Sequence, residues 1–217
     1  MNKKITYAIF QNRNTARKLV YYPVAKNANS SAKLFFLKHL KMDKNYYFLS
    51  DKVPEYKVNE DSKYKNLDKK YNLVNFLPSY TPFEKIEVDE KCCIIRNPIK
   101  RFISAYKNRV LFHKDFGFRN LNINEIIEKL ENNSFDNRHF LPQSYWLGSD
   151  LRYFTIVSNI SNMETFINGV NNFFQNKVEF PRIQTGGDDE NITLTDSQII
   201  KLKKIYSSDY DLIGDLL

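Results

Sequence analysis

Lys26, Ser30 and Ser31 fall within one short polar stretch, AKNANSS at residues 25–31, between an apolar run and a segment of helical character. A strand that ends where a helix begins is a ready place for an anion. The first N–H groups of a helix point outward, and its dipole favours negative charge there. Two serine hydroxyls add donors, and Lys26 adds a mobile positive charge suited to a phosphate oxygen. The stretch has no glycine, and Ser-Ser stands where a nucleotide-binding P-loop carries Gly-Lys-Ser/Thr. Taken alone, it also fits an ordinary capped helix beside a surface lysine.

A second set of residues lies in IIRNPIKRFISAY, 94–106. Arg96 ends a buried apolar run, and Ser104 follows Asn97 by seven residues, about two helical turns. Ser104 therefore shares a face with the helix start, toward which side chains lean. A planar guanidinium fork and a hydroxyl can converge there on one anion. The other reading is a structural salt bridge for Arg96 and a small-residue packing site for Ser104. Together the two units say more: a ligand with two separate anionic ends fits both, and neither has a Walker lysine.

Both units need a strand to end and a helix to start beside them. Residues 19–25 read as a strand. Residues 30–42 read as a helix with Ser30 or Ser31 as N-cap and the apolar Leu34–Leu37 run well buried. Residues 45–50 read as a strand, the charged 51–70 as an exposed loop or insertion, and 72–77 as a short strand or a helical turn. KCCIIRN, 91–97, has the pattern of a buried parallel strand. Asn97 can cap, Pro98 suits the first helical position, and Ile99, Phe102, Ile103, Tyr106 and Val110 recur at helical spacing. Further helices are expected at 122–133 and 162–175, a strand at 152–158, and a last helix opened by a Thr195–Gln198 capping box. Strands alternating with helices predict an α/β fold with a mainly parallel sheet, whose chemistry gathers at the carboxyl ends of the strands.

The 217 residues fit a single domain, with 51–90 as its variable loop or insertion. Apolar residues at 42% suffice for a core, which excludes a disordered chain. A formal charge of +8 suits anionic partners or simply a solvated basic surface. Cys92 and Cys93 are adjacent in an apolar run, so they point to opposite faces of a strand. They read as core residues of a reducing compartment, with no zinc ligand set around them. The N-terminal stretch is neither a signal peptide nor a membrane anchor, and no run approaches 18 apolar residues.

AKNANSS resembles the PK-x-A-x-T-S/N loop of the PAPS-dependent sulfotransferases, which binds the 5′-phosphosulfate. IIRNPIKRFISAYKN resembles their 3′-phosphate motif, VRDPxxRLxSAYxN, more closely. The wider similarity is to the carbohydrate sulfotransferases (sulfotransferase family 2) and their bacterial relatives. DNRHFLPQSYWLG, 136–148, resembles a family stretch H-W-x-P-Q, and 194–214 resembles a terminal helix ending Tyr-x-x-Asp-x-x-Leu at Tyr206, Asp209 and Leu212. The likeness runs from about residue 20 to the end, leaving 51–90 without a counterpart. Ala25 replaces the family proline, Ser30 its threonine and Asn97 its aspartate.

The resemblance implies a P-loop-like three-layer fold with a central, mainly parallel sheet flanked by helices. It implies metal-free, in-line transfer of a sulfuryl group from 3′-phosphoadenosine 5′-phosphosulfate (PAPS) to a hydroxyl, or an amine, of a carbohydrate or glycoconjugate acceptor. The product is adenosine 3′,5′-bisphosphate. Lys26 would offset charge on the bridging oxygen. The amides of Asn27, Ala28, Asn29, Ser30 and Ser31, with both serine hydroxyls, would hold the 5′-phosphate, and Lys33 matches a basic position of the loop. Arg96 and Ser104 would hold the 3′-phosphate. His139 is the general base favoured by motif position and pKa range, with His113, Asp115 or a glutamate as alternatives and His39 structural. Arg182 and Thr185, around the Gly186–Gly187 pair, are further candidate contacts to the nucleotide. The absent anchor suggests a cytoplasmic enzyme of microbial or viral type. Other classes fit less well. A nucleic-acid-binding protein should cluster its basic residues, which here are mixed with acidic ones, and a P-loop kinase needs the missing glycine-lysine motif. A degenerate, non-catalytic relative is disfavoured by the retained Lys26, Ser30, Arg96 and Ser104.

Overall fold

The computed structural model describes residues 7–12, 14–40, 73–77, 83, 85–115, 117–132, 134, 137–182 and 191–216. Its strands are β1 (Tyr7–Gln11), β2 (Lys18–Tyr22), β3 (Leu73–Leu77), β4 (Glu90–Ile95) and β5 (Ile156–Asn159). The α-helices are α1 (Asn29–His39), α2 (Pro98–Tyr106), α3 (Ile123–Glu131), α4 (Ser144–Leu147), α5 (Glu164–Phe174), α6 (Asp196–Ile205) and α7 (Ser207–Ile213). A π-helix, Lys107–Phe112, continues α2.

The strands form one sheet in the order β3-β1-β2-β4-β5. The central β2 pairs in parallel with β4, and β4 with β5. β1 is antiparallel to both its neighbours, so the other four strands run one way. The fold is therefore α/β with a mainly parallel sheet, as the alternation of strand and helix patterns implies. Tyr22 pairs with Cys93. The segments leaving β2 and β4 thus start side by side at one end of the sheet.

Period-two alternation divides the core between two faces. Leu19, Tyr21, Cys92, Ile94 and Ile156 pack against Ala32, Phe35 and Phe36 of α1 and Phe166, Val170 and Phe173 of α5. Val20, Tyr22, Cys93 and Ile95 pack on the other side against Trp146 and Leu147 of α4 and Leu212 and Ile213 of α7. Helix, sheet and helix make three layers. A third cluster joins α2, α3 and α6 through Phe102, Tyr106, Ile126, Ile127 and Leu202. Both cysteines are free and buried, one on each face of the sheet.

Several elements differ from expectation for local reasons. β2 stops at Tyr22, because Pro23 has no N–H to continue the ladder. Asn97 caps α2 through Lys100 N, with Pro98 at its start as expected, but α-geometry ends at Tyr106 and the π-helix takes over. The segment 152–158 begins as a 3₁₀ turn, Leu151–Tyr153, capped by Asp150, so β5 starts only at Ile156. β1 has no sequence counterpart, since its apolar patch is short and ends at Gln11. Of the segment expected as a strand or a helical turn at 72–77, Leu73–Leu77 is a strand. Asn122 and Thr195 each form a full capping box at the start of α3 and α6. The strand expected at 45–50 and the charged 51–70 segment lie outside the described residues. Among the described residues no helix is long and apolar enough to cross a membrane.

Candidate active site

The segment from β2 to α1 turns sharply without glycine. Lys26 and Ala28 take left-handed backbone conformations, with φ of 70° and 54°. Each such residue with a Cβ costs about 1 kcal/mol, so the loop is held rather than relaxed. Alternation of this kind curls successive N–H groups around a concavity that suits an anion. Ala28 is the N-cap of α1 and supplies no side-chain hydrogen bond. Ser30 and Ser31 are thus not caps; they lie inside the first turn, because the left-handed residue starts the helix earlier.

Asn27 holds this loop in place. Its side chain is fully buried, and Nδ2 donates to Ile94 O at 2.8 Å and to Gln143 Oε1 at 2.6 Å. Its own N–H donates to Val24 O. Asn27 therefore serves the loop's internal structure. Lys33 is buried one turn further along α1.

Arg96 follows β4 and reaches across to the loop, where Nη1 donates to Lys26 O at 2.8 Å. Its Nε is buried without a hydrogen-bond partner, and no carboxylate pairs with it among the described residues. Among the described residues Arg96 thus has no structural salt bridge of the kind its sequence also allowed. Ser104 is half-buried on α2.

His139 comes to the same corner from the loop before α4. Asn137 Oδ1 accepts from His139 N at 3.0 Å and lies 2.9 Å from His139 Nδ1. An atom accepting a backbone N–H is an oxygen, so Nδ1 donates to it and Nε2 keeps its lone pair. Arg101 anchors this loop to α2. It is fully buried, Nη1 donates to His139 O at 3.1 Å, Nη2 donates to Leu141 O, and the guanidinium stacks 5.5 Å from the Tyr206 ring.

The electrostatics follow from the grouping. Burial, then Arg96 and Arg109, lowers Lys26 from 10.5 to about 8. Burial, then Arg109, Arg138, Lys26 and Arg101, lowers His139 from 6.5 to about 3. Arg96 is lowered by burial and by Arg101. Lys26, Arg96 and His139 therefore share one cationic field with Arg101 and Arg109. Arg109, on the π-helix, pairs with Asp115, Nε to Oδ2 at 2.6 Å.

Other sequence candidates lie elsewhere or are engaged. His113 is exposed beyond the π-helix, with its ring edge-on to Phe112. His39 is buried on α1, stacked on Phe174 with ring centroids 4.7 Å apart, and burial lowers it to about 4. Asp115 is held by Arg109. Arg182 is exposed, and Thr185 with the glycine pair lies outside the described residues. Among the described residues no three His, Cys, Asp or Glu side chains gather.

A sequence model of the sulfotransferase family matches residues 11–214. The chain belongs to the sulfotransferase family. No curated protein and no solved structure matches the chain. The matched span takes in both strand-end units of the sulfotransferase, the His139 loop and the terminal helices. Two residues at the centre of this candidate site were not singled out from the sequence, Arg101 and Gln143. Arg101 had a visible signal: three residues after Pro98 and four before Ala105, it falls on a buried helix face. Gln143 sits in a loop, where no periodicity marks the inward side.

Proposed function

We propose that this sulfotransferase moves the sulfuryl group of PAPS to a hydroxyl, less readily an amine, of a carbohydrate or glycoconjugate, as a single cytoplasmic domain. The observation that carries the reading is the contact of Arg96 with the Lys26 loop at the ends of two adjacent parallel strands. It ties Arg96 to the backbone of the loop that carries Lys26, whose charge feels Arg96. Among the described residues no carboxylate pairs with Arg96, which suits a donor with two anionic ends.

Each residue then has a task. The amides of Ala28, Asn29, Ser30 and Ser31, with the two serine hydroxyls and Lys33, hold the 5′-phosphate. Arg96 and Ser104 hold the 3′-phosphate. Lys26 stabilises negative charge as it grows on the oxygen bridging sulfur and phosphorus, when the S–O bond to the leaving bisphosphate breaks. His139 Nε2 accepts the proton of the acceptor hydroxyl as its oxygen bonds to sulfur. Burial, and after it the neighbouring cations, suppresses its basicity in the protein alone. Donor charge placed among those cations offsets their share of the lowering and raises the basicity of His139 when it is needed. The chain's part is positioning and charge stabilisation, as in phosphoryl transfer.

Thermal shift with adenosine 3′,5′-bisphosphate, ATP and a short oligonucleotide tests the donor, since a ligand of the native state raises Tm. Stabilisation by ATP or oligonucleotide with none by the bisphosphate overturns the reading. Transfer from radiolabelled PAPS to a panel of neutral and acidic sugars tests the acceptor. Lys26→Ala is expected to lower kcat by about a hundredfold or more; unchanged turnover refutes its role.

A further inference from the structure

Gln143 is fully buried and uses all its hydrogen-bonding capacity. Oε1 accepts from Asn27 Nδ2 at 2.6 Å and from Arg96 N at 3.0 Å. Nε2 donates to Arg96 O at 2.8 Å and to Asp209 Oδ2 at 3.4 Å. One amide thus meets two donors on its oxygen side and two acceptors on its nitrogen side, which only an unflipped carboxamide satisfies. Glutamate lacks the donors, and asparagine is one methylene short.

The partners matter as much as the number. Asn27 belongs to the loop after β2, Arg96 to the segment after β4, and Asp209 to α7. Asp209 also accepts from Ser144 N at 2.9 Å, and Tyr206 Oη donates to Phe140 O at 2.8 Å, so the terminal helices clamp the same segment. Gln143 follows His139 by four residues in that segment. The Lys26 loop, the segment after β4 and α7 meet at this side chain, though it has no ligand-facing atom left to offer.

We infer that Gln143 is a positioning residue that fixes the Lys26 loop against Arg96, so that the two anionic ends of one donor are gripped as a unit. The inference rests on the donor reading above. Without Gln143 each half-site keeps its own residues, but their relative placement is no longer set. Affinity for a ligand with one phosphate should change little, and affinity for one with two should fall.

The test compares adenosine 3′,5′-bisphosphate with 5′-AMP and 3′-AMP by calorimetric titration of the full chain, unaltered and as Gln143→Met. The ratio of bisphosphate to monophosphate affinity is expected to drop about tenfold in the variant, the loss of a few buried hydrogen bonds in one network. With PAPS, KM should rise and kcat should fall as His139 loses its register. A lower Tm with the affinity ratio unchanged means a purely structural role and overturns the inference. Should Gln143→Met not fold, Asp209→Asn removes the charged acceptor that orients Gln143. It is expected to lower the same ratio about threefold, and an unchanged ratio there also overturns the inference. Failure of the unaltered protein to bind the bisphosphate overturns the donor reading and this inference with it.

Discussion

Lys26 offers a direct measure of the charge stored in the site. Burial and the neighbouring Arg96 and Arg109 lower it from 10.5 to about 8. At 1.36 kcal/mol per unit, the protonated form is held at a penalty of about 3 kcal/mol in the protein alone. An anion at the loop returns that energy and draws the lysine back to full protonation. Binding near pH 8 therefore takes up a proton, and the apparent Kd scales as one plus ten to the power of pH minus 8. Between pH 7 and pH 9 that factor rises from about 1.1 to about 11, so affinity for adenosine 3′,5′-bisphosphate should weaken about tenfold. The ligand's phosphates finish losing protons near pH 6 to 7, which acts in the opposite direction. Lys26→Arg separates the two effects, because arginine keeps its proton throughout. Calorimetry at pH 7, 8 and 9, in buffers of different ionisation enthalpy, should show proton uptake near pH 8 in the unaltered protein and much less in Lys26→Arg. An equal loss of affinity in both proteins would refute the assignment of this charge to Lys26.

Arg101→Met removes the donors to His139 O and Leu141 O. It should destabilise the fold by about 2–4 kcal/mol, read by urea unfolding; a change below about 0.5 kcal/mol contradicts its anchoring role. His39 is lowered to about 4, so the unfolded chain takes its proton first as pH falls below 6.5. Stability is therefore full above that pH and is lost progressively toward pH 4, by up to about 3 kcal/mol. Melting curves from pH 7 to pH 4 should be flatter for His39→Phe, and equal acid sensitivity argues against this residue as the source. His139→Ala should lower kcat by about 10²–10⁴ with little change in donor affinity. Asn137→Ala, which frees the ring to change tautomer, should lower it by a smaller factor; full activity in His139→Ala would transfer the base role elsewhere.

The parts of the fold legible in the sequence are those where local pattern and tertiary demand agree. Asn97-Pro98, Asn122 with Glu125, and Thr195 with Gln198 start helices where capping chemistry says they should. The alternation in KCCII placed adjacent cysteines on opposite faces of a buried strand. Misreadings occur where backbone geometry overrides side-chain preference. Ala28 opens α1 in a left-handed conformation although two serines stand ready to cap. The π-helix after Tyr106 leaves the apolar spacing unchanged to the eye while adding a residue to the turn. In the site, Lys26, Arg96 and His139 are visible as residue types at strand ends and loops. The groups that hold them are not, because Asn27 and Gln143 resemble surface amides until the chain folds around them.

The two thiols on β4 have a further consequence. Burial raises both well above the usual cysteine range, so neither forms a reactive thiolate in the native state. Cys92 is roofed by α1 and α5, and Cys93 by α4 and α7. Each becomes reactive only when its own helical layer lifts. Nature has thereby left neighbouring residues as independent clocks for the opening of the two sides of the molecule, one timing the layer behind the Lys26 loop and the other the layer that clamps Gln143.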